Sequence, residues 1–375
     1  MAGIYIHVPF CYTRCSYCDF YKTTDQQLKD EYIKALCKEI ELNRTFFLKE
    51  DIQTIYFGGG TPSTLSISEL EKIILTLKEF ASFKNLQELT LEVNPDDVNE
   101  EYIKDIVALG VNRLSMGIQS FFDSHLRKMN RRHNADQAQR AIHIANEMGI
   151  KNMSIDLIYG LPYMTFDEWK ENVRLAIASN VQHISAYHLT FEKGTLYYDY
   201  LKKGKLKEVP EESSIEQFDY LVSALKDAGF EHYEISNFSR KGLESKHNSN
   251  YWTGMKYLGL GPSAHSFDGI NRMWNVRDLR KYCHALLNDQ SYTEKETLTD
   301  TDRYNEFVML GLRTQKGFHL DFMETFNSKI KHHFNNELRH QLKQNNVVVL
   351  DGFCFVSEER KMITDSIISD FFYVD

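Results

Sequence analysis

The sequence predicts an α/β protein built on parallel strands, with a smaller α+β unit towards its C-terminal end. Between most of the β-rich runs in the first half lie stretches with helical spacing, such as Leu28, Tyr32, Leu36 and Ile40. Strands that alternate with helices pair in parallel through crossover helices, which indicates an α/β sheet or barrel. The six predicted strands are residues 4–8, 54–57, 89–93, 113–118, 153–158 and 184–189.

The pattern changes after about residue 210, where strands and helices no longer alternate. Residues 212–228 have the spacing of a helix, and residues 233–238 are predicted to form a short strand. Residues 241–268 are rich in glycine, asparagine and serine and are predicted to be a loop.

The end of the chain is predicted to be a small module of helices and a hairpin. Residues 302–314 and 328–344 have helical spacing, and residues 347–356 form a hairpin in which Asp351-Gly352 is the favoured two-residue turn. Helices followed by a hairpin indicate a winged-helix-like domain. Such domains often bind DNA, but a fold does not determine a function.

The length of the chain favours one large domain with a smaller one. The sequence has 375 residues, of which 42% are hydrophobic and 26% charged, enough apolar material for a sizeable core. We therefore predict a barrel domain in residues 1–210, a connecting segment in residues 211–300 and a small C-terminal domain in residues 301–375.

Charge and hydropathy exclude several classes of protein. The formal net charge is 44 − 53 = −9, which argues against a nucleic-acid partner held mainly through its phosphates. No apolar stretch approaches the roughly 20 residues that cross a bilayer. The first residues do not have the basic and apolar regions of a secretory signal. We expect a cytoplasmic protein.

Three cysteines stand close together directly after the first predicted strand. Cys11, Cys15 and Cys18 have the spacing C-x3-C-x2-C, and thiolates are soft ligands that suit iron–sulfur clusters or zinc. Three cysteines can hold three irons of a [4Fe–4S] cluster and leave the fourth iron open. S-adenosylmethionine (SAM) can chelate such an iron through its amino and carboxylate groups. The spacing therefore favours a cluster that binds SAM.

A structural zinc site is the alternative for these thiols. Such sites normally have four protein ligands, often in two separated pairs, and the sequence contains no second C-x2-C pair. The nearest other ligands, His7 and Asp19, fit such a site poorly. The other cysteines are dispersed, and a reducing compartment disfavours disulfides between them.

The segment from residue 3 to residue 20 resembles the radical SAM superfamily. Its closest likeness is to the subgroup that contains oxygen-independent coproporphyrinogen III oxidase and the HemW-type heme chaperones, and the likeness extends over nearly the whole chain. The resemblance implies a partial, TIM-like (β/α)6 barrel. It also implies a reduced cluster that passes an electron to SAM.

Polar and glycine residues at the ends of the predicted strands are candidates for the SAM site. Residues 58–60 are three glycines after the second strand, where backbone groups can approach a ligand closely, although a tight turn alone would also explain them. A barrel carries its site at the carboxyl ends of its strands. By resemblance, the SAM contacts are Tyr5, Tyr17, Gly59, Gly60, Thr61, Glu92, Gln119, Arg131 and Asp156.

Two differences set this chain apart from the oxidases of that subgroup. The oxidases have a longer N-terminal arm before the cluster motif, which begins here at Cys11. They also have a further cysteine two positions after the third cluster ligand, where this chain has Phe20. Both differences count against decarboxylase activity.

A second motif points to heme. His247, Tyr251 and Trp252 match the H-N-x-x-Y-W pattern of the heme chaperones. Imidazole is a good axial ligand of heme iron, and aromatic rings can pack on a porphyrin. His247 as a capping histidine in a turn-rich segment is the alternative, and His265 on a nearby glycine-rich turn is a rival ligand. Cys283 and Cys354 are further candidates, although dispersed cysteines are usually core residues.

We therefore interpret the chain as a protein that binds heme and a SAM-ligated [4Fe–4S] cluster and delivers heme to an acceptor hemoprotein. Membrane-bound hemoproteins are among the acceptors with which it would associate transiently. The enzyme alternative is an oxygen-independent coproporphyrinogen III dehydrogenase. A third class is a structural zinc or nucleic-acid-binding protein.

Overall fold

The computed structural model describes residues 1–374 and contains the six parallel strands that the sequence predicts. The strands are β1 (Ala2–Val8), β2 (Ile52–Gly59), β3 (Glu88–Val93), β4 (Arg113–Gln119), β5 (Met153–Tyr159) and β6 (His183–His188). The helices between them are α1 (Lys29–Leu42), α2 (Arg44–Lys49), α3 (Ile67–Phe80), α4 (Glu100–Ala108), α5 (Asp123–Lys128), α6 (Ala135–Glu147) and α7 (Phe166–Ala178). The α/β fold class is thus confirmed.

Parallel pairing places the carboxyl ends of these strands at one edge. β1 pairs with β2 from Gly3 and Thr54 to Val8 and Gly59, and each later strand up to β6 pairs in parallel with the one before it. Ligands of open α/β sheets bind outside this edge. The topology therefore brings the residues that follow each strand together.

The crossover helices are specified by caps and apolar stripes. In α3, Ser66 accepts a hydrogen bond from the backbone N–H of Glu69, whose side chain accepts in return from the backbone of Ser66. The helix then buries Leu70, Ile73 and Leu77 against the sheet. No helix within residues 1–374 is both long and apolar enough to span a bilayer.

Residues after 190 form more regular structure than the sequence indicates. The elements are α8 (Leu196–Lys202), α9 (Glu211–Asp227), β7 (Glu231–Glu234), β8 (Asn237–Ser239), α10 (Lys246–Trp252), β9 (Lys256–Leu260), β10 (His265–Phe267), β11 (Asn271–Asn275), α11 (Leu279–Leu287) and β12 (Thr293–Thr297). The predicted strand at 233–238 is wrong, because residues 235–236 turn the chain into the hairpin β7–β8.

The predicted loop at 241–268 is also wrong, since it contains α10, β9 and β10. Ser245 caps α10 by accepting a hydrogen bond from the backbone N–H of Asn248, so residues typical of turns here start a helix. β9 then pairs in parallel with β1, where Leu258 and Leu260 are buried.

These later strands extend the same sheet at both edges. The order across the sheet is β12-β11-β10-β9-β1-β2-β3-β4-β5-β6-β8-β7. One buried apolar core runs from residue 2 to residue 286, and a second from residue 304 to residue 371. The division into residues 1–210, 211–300 and 301–375 stays a prediction.

The C-terminal part combines helices with a small antiparallel sheet. Its elements are α12 (Asp300–Leu312), β13 (Phe318–His319), α13 (Ser328–Lys343), β14 (Val347–Leu350), β15 (Phe353–Val356) and α14 (Thr364–Phe371). Asp351 and Gly352 join β14 to β15 with positive φ angles of 50° and 81°, as a two-residue hairpin turn requires.

Candidate functional site

The three clustered cysteines lie on one loop that follows β1 at the carboxyl edge of the sheet. The loop is fixed by backbone hydrogen bonds at both ends. The N–H of Cys11 donates to the carbonyl of Thr23 at 2.9 Å, and the N–H of Ser16 donates to the carbonyl of Met129 at 3.0 Å. These hydrogen bonds tie the loop that carries Cys11, Cys15 and Cys18 to neighbouring segments of the chain.

The thiols are partly enclosed by polar neighbours. Cys11 is 7% exposed, and its Sγ lies 3.3 Å from the Oγ1 of Thr61. Nη1 of Arg131 donates to the Sγ of Cys15 at 3.4 Å. Burial raises the pKa of Cys11 to about 11 and also raises the pKa of Cys18. A metal ion has to displace these protons when it binds.

The cysteine loop opens onto a large cavity, which we call the thiol cavity. Its volume is about 740 Å³, in the range that encloses a cofactor. The three cysteines line it together with residues from five neighbouring strands and the loops that follow them. The predicted SAM contacts on its wall are Tyr17, Gly59, Gly60, Thr61, Glu92, Gln119, Arg131 and Asp156.

Tyr5 is the predicted contact that does not line the thiol cavity. Its hydroxyl lies 3.2 Å from Nδ1 of His7, and its ring stacks on Tyr56 with 6.1 Å between the ring centres. Tyr56 does line the cavity. Tyr5 therefore packs behind Tyr56 and does not itself line the cavity. A direct contact between Tyr5 and SAM stays a prediction.

The glycine triplet at the carboxyl end of β2 has no room for side chains. Gly59 has a φ of 109°, and a Cβ there would lie 2.6 Å from the ring of His7. A Cβ at Gly60 would lie 2.7 Å from the carbonyl oxygen of Phe10, next to the cysteine loop. At Gly58 it would lie 2.9 Å from Oε1 of Glu92. The triplet thus forms part of the cavity wall, and neighbouring atoms leave no space for a Cβ at any of its three positions.

Two partly buried carboxyl groups line the thiol cavity. Glu92 accepts hydrogen bonds from the hydroxyl of Tyr56 at 2.7 Å and from the N–H of Gly59 at 3.1 Å. Burial, with a smaller contribution from Asp156, raises the pKa of Glu92 to about 7. Burial also raises the pKa of Asp156 to about 6, against hydrogen bonds from Ser185 and Ser115. Both carboxyls can accept from an amino group or from ribose hydroxyls.

Arg131 places a positive charge beside Cys15. Its Nη2 donates to Oδ1 of Asn94 at 2.6 Å and to the carbonyl of Gly117 at 2.7 Å. Its Nε is buried without a hydrogen-bond partner among residues 1–374. Gln119 lies nearby in a left-handed conformation with a φ of 66°. A guanidinium held in this way suits the carboxylate of a ligand.

Sequence reasoning missed a second arginine on the cavity wall. Arg113 is 1% exposed, and its Nε has no hydrogen-bond partner within the described chain. It lies at the amino end of β4, whereas a barrel is expected to carry its site at the carboxyl ends of its strands. The sequence signal that could have indicated Arg113 is its position as a charged residue at the start of an otherwise largely apolar strand.

The donor set suits the cofactors that the sequence predicts. Three thiols share one loop, a guanidinium and two carboxyls share the adjoining wall, and glycines leave space between them. In residues 1–374, no three His, Cys, Asp or Glu side chains are arranged as a site for a single metal ion. The identity of each SAM contact stays a prediction.

The second motif lies on α10, away from the cysteines. His247 is 2% exposed, with Nδ1 2.9 Å from Oγ1 of Thr54 and Nε2 3.0 Å from the hydroxyl of Tyr251. Burial lowers the pKa of His247 to about 3. Trp252 packs near Arg313, whose guanidinium carbon lies 5.9 Å from the Trp252 ring centre. In this conformation His247 offers no free nitrogen to an iron.

Tyr251 connects the motif to a second concave surface. Its ring packs edge-on against Tyr257 with 4.6 Å between the ring centres. Both tyrosines line a groove between the edge of the large sheet and α12. Within this motif, His247 therefore takes part in a buried hydrogen-bond network, and Tyr251 lines the groove.

Comparison with known proteins gives two family matches. The radical SAM superfamily profile matches residues 5–176, and the HemN C-terminal domain profile matches residues 298–359. The curated heme chaperone HemW of Bacillus subtilis is 36% identical over 84% of each chain. The heme chaperone HemW of Synechocystis sp. is 33% identical over 98% of this chain and 95% of its own.

Among solved structures, coproporphyrinogen III oxidase from Escherichia coli has the same fold. It is described as a radical SAM enzyme and superposes with a TM-score of 0.85 over 99% of this chain and 90% of its own. The two sequences are 23% identical. This likeness extends the shared architecture through the C-terminal part of the chain.

Proposed function

This chain belongs to the radical SAM superfamily and, within it, to the family whose curated members are named heme chaperone HemW, and on that basis we propose that it carries heme to an acceptor hemoprotein. The observation that most supports the proposal is the thiol cavity, where three cysteines of one loop adjoin a wall of polar residues.

We propose that Cys11, Cys15 and Cys18 hold a [4Fe–4S] cluster whose fourth iron takes SAM. When bound, this pair supplies one-electron chemistry that side chains cannot perform. The chain's own part is to position and shield it. Arg131 would pair with the SAM carboxylate, and Glu92 would accept from its amino group.

The remaining wall residues would hold the nucleoside end of SAM. Asp156 can accept hydrogen bonds from ribose hydroxyls, Gln119 can bond the same end, and the ring of Tyr17 can cover the adenine. Gly59, Gly60 and Thr61 would bring backbone groups to the methionine end. Tyr5 would support this wall through Tyr56.

We propose that the protein carries heme and does not catalyse a step of porphyrin synthesis. Phe20 stands where the resembled oxidases have a further cysteine, and it is 65% exposed at the mouth of the thiol cavity. The relatives from Bacillus subtilis and Synechocystis sp. are named heme chaperone HemW. We propose a cytosolic site of action, in keeping with six free cysteines. Transfer to membrane-bound hemoproteins would then require only transient contact.

Heme transfer can be tested with the heme-free form of a b-type cytochrome as acceptor. The full chain is reconstituted with iron and sulfide without oxygen, loaded with hemin and mixed with increasing acceptor concentrations. We expect a transfer rate that rises with acceptor concentration, because the two proteins must meet. A rate that does not depend on acceptor concentration would indicate release of heme into solvent and would contradict a delivery function.

The enzyme alternative is tested in parallel. Reconstituted protein is incubated with coproporphyrinogen III, SAM and dithionite, and the products are separated by chromatography. We expect no protoporphyrinogen. Formation of protoporphyrinogen at many turnovers per protein would establish the dehydrogenase activity and would contradict the proposed chaperone function.

A further inference from the structure

We propose that heme binds in the groove between the edge of the large sheet and α12, with His265 as its iron ligand. This inference rests on the proposed heme-binding function and names a site for it. We call this surface the aromatic groove. Its uncharged lining residues are Tyr251, Tyr257, His265, Trp274, Met309 and Leu310, and the charged residues Arg272, Glu296 and Glu306 complete the lining.

The size and composition of the aromatic groove suit a flat apolar ligand. Its volume is about 610 Å³, within the range of small-molecule sites. Strands β9, β10 and β11 supply three ring-bearing side chains on one side, and α12 supplies two aliphatic ones on the other. Aromatic and thioether groups are favourable neighbours for a porphyrin face.

His265 is the free imidazole of this groove. Its side chain is exposed, and neither ring nitrogen hydrogen-bonds to another residue within 1–374. Its ring lies 6.3 Å from that of Trp274, inclined by 31°. Partial burial, with the charge of Arg272, lowers the pKa of His265. A neutral imidazole with a free nitrogen is the form that coordinates iron.

His247, the motif histidine, is placed to build the groove rather than to hold iron. Its two ring nitrogens lie at hydrogen-bonding distance from Thr54 and Tyr251, and its side chain is enclosed. Coordination through either nitrogen would break the contact that this nitrogen makes. Through its contact with the Tyr251 hydroxyl, it holds that ring against Tyr257 on the groove wall. His247 is thus a positioning residue.

The charges around the groove orient the bound heme. Arg272 donates to Oε1 of Glu306 at 2.8 Å and also bonds the hydroxyl of Tyr257, so its charge is already paired. Glu296 adds another carboxylate to the lining. Glu296 and Glu306 would repel the acidic propionates, which would therefore face solvent, while the apolar residues of the groove would contact the porphyrin.

The test is a hemin titration of the full reconstituted chain, followed by the Soret band and by EPR of the ferric heme. We expect His265→Ala to weaken hemin binding by at least about tenfold, or roughly 1.4 kcal/mol, and to abolish the histidine-ligated spectrum. The matched control is His284→Ala, which removes another exposed histidine outside the groove. We expect that control to bind hemin as the wild type does.

Chemical rescue with imidazole distinguishes the loss of the iron ligand from damage to the fold. In His265→Gly, added imidazole should restore the histidine-ligated spectrum, because the free base can occupy the vacated position. His247→Ala should weaken hemin binding while it keeps that spectrum. An unchanged affinity and spectrum in His265→Ala would overturn this inference, as would a His265→Gly protein that imidazole does not rescue.

The outcome also distinguishes this inference from the proposed function. Wild-type protein that binds no hemin would reject both. A different outcome would reject only the heme site proposed in the aromatic groove. In that outcome the wild-type protein binds hemin, His247→Ala loses the histidine-ligated spectrum and His265→Ala keeps it. The proposed chaperone function would then still hold.

Discussion

Nη1 of Arg131 lies 3.4 Å from the Sγ of Cys15 and so joins the loop after α5 to the cysteine loop after β1. The same guanidinium is anchored by Asn94 and by the carbonyl of Gly117. One side chain therefore touches a proposed cluster ligand and lines the space proposed for SAM. The two functions of the thiol cavity are coupled at this residue.

Replacement of Arg131 tests that coupling. We expect Arg131→Met to weaken SAM binding by about 10- to 100-fold, since a hydrogen bond to a charged group contributes roughly 1.5–3 kcal/mol. Loss of a positive charge beside a thiolate should also lower the reduction potential of the cluster, on the order of 50 mV. Equilibrium binding and an EPR-monitored redox titration measure the two effects. Unchanged values for both would show that Arg131 does not act on this site.

The raised pKa of Glu92 predicts a pH dependence of SAM binding. The carboxyl is mostly protonated below its pKa of about 7 and ionised above it. SAM carries a fixed sulfonium charge that only the ionised form attracts. Affinity should therefore increase between about pH 6 and about pH 8. Isothermal titration calorimetry across this range measures the change.

Glu92→Gln is the control for that prediction. It should bind SAM more weakly at high pH and lose most of the pH dependence. A small residual dependence near pH 6 is expected from Asp156, whose pKa is raised to about 6. A wild-type affinity that falls with increasing pH would contradict the assignment of Glu92.

The glycine triplet provides a matched pair of substitutions. Gly60→Ala would place a Cβ 2.7 Å from the backbone oxygen of Phe10, which cannot rotate away, so we expect the cysteine loop to shift and cluster content to fall. Gly58→Ala would press instead on the Tyr56 and Glu92 side chains. We expect it to retain the cluster and to weaken SAM binding, about tenfold.

Iron and acid-labile sulfide analysis, followed by SAM titration, distinguishes the two variants. Equal loss of cluster in both would show that the triplet acts only as a turn. Full cluster content in Gly60→Ala would contradict its proposed contact with the cysteine loop.

A buried carboxyl far from the thiols predicts how stability depends on pH. Glu39 is 1% exposed and accepts hydrogen bonds from the N–H of Gly261 and from the side chains of Asn275 and Tyr282. Burial raises its pKa from 4.5 to about 7. The folded state thus keeps a proton that the unfolded state releases. Its contribution to stability is present below pH 4.5 and is lost as the pH rises to about 7.

Glu39→Gln should remove this dependence. We expect the urea midpoint of the variant, relative to wild type, to be higher at about pH 8 than at about pH 5. Urea unfolding at both pH values, monitored by circular dichroism, measures the difference. A relative midpoint that falls with pH would show that Glu39 is ionised in the folded protein.

Local sequence patterns predicted the six strands of the first half, and the family resemblance supplied most of the residues that line the thiol cavity. Strand β4, for instance, is predicted at 113–118 and observed as Arg113–Gln119. The cysteine spacing lies within eight residues of one loop. Parallel topology then gathers residues at strand ends, which is why Glu92 and Gln119 face the same cavity.

The sequence did not reveal features that depend on distant contacts. Strand β9 pairs with β1, about 250 residues earlier, and nothing local in residues 256–260 records that partner. Ser245 looks like a turn residue but caps α10 by accepting a hydrogen bond from the backbone N–H of Asn248. The H-N-x-x-Y-W motif indicated His247 as a heme ligand. The hydrogen bonds that occupy both its nitrogens come from Thr54 on β2 and Tyr251 on its own helix.

The central claim is that Cys11, Cys15 and Cys18 hold a [4Fe–4S] cluster with one iron open to SAM. The most direct test is the EPR spectrum of the dithionite-reduced, anaerobically reconstituted full chain with and without SAM, with Cys15→Ser and the control Cys37→Ser. We expect about four irons per chain and a [4Fe–4S] signal that SAM changes, retained in Cys37→Ser and lost in Cys15→Ser. A wild-type protein without that signal, or with a signal that SAM leaves unchanged, would contradict it.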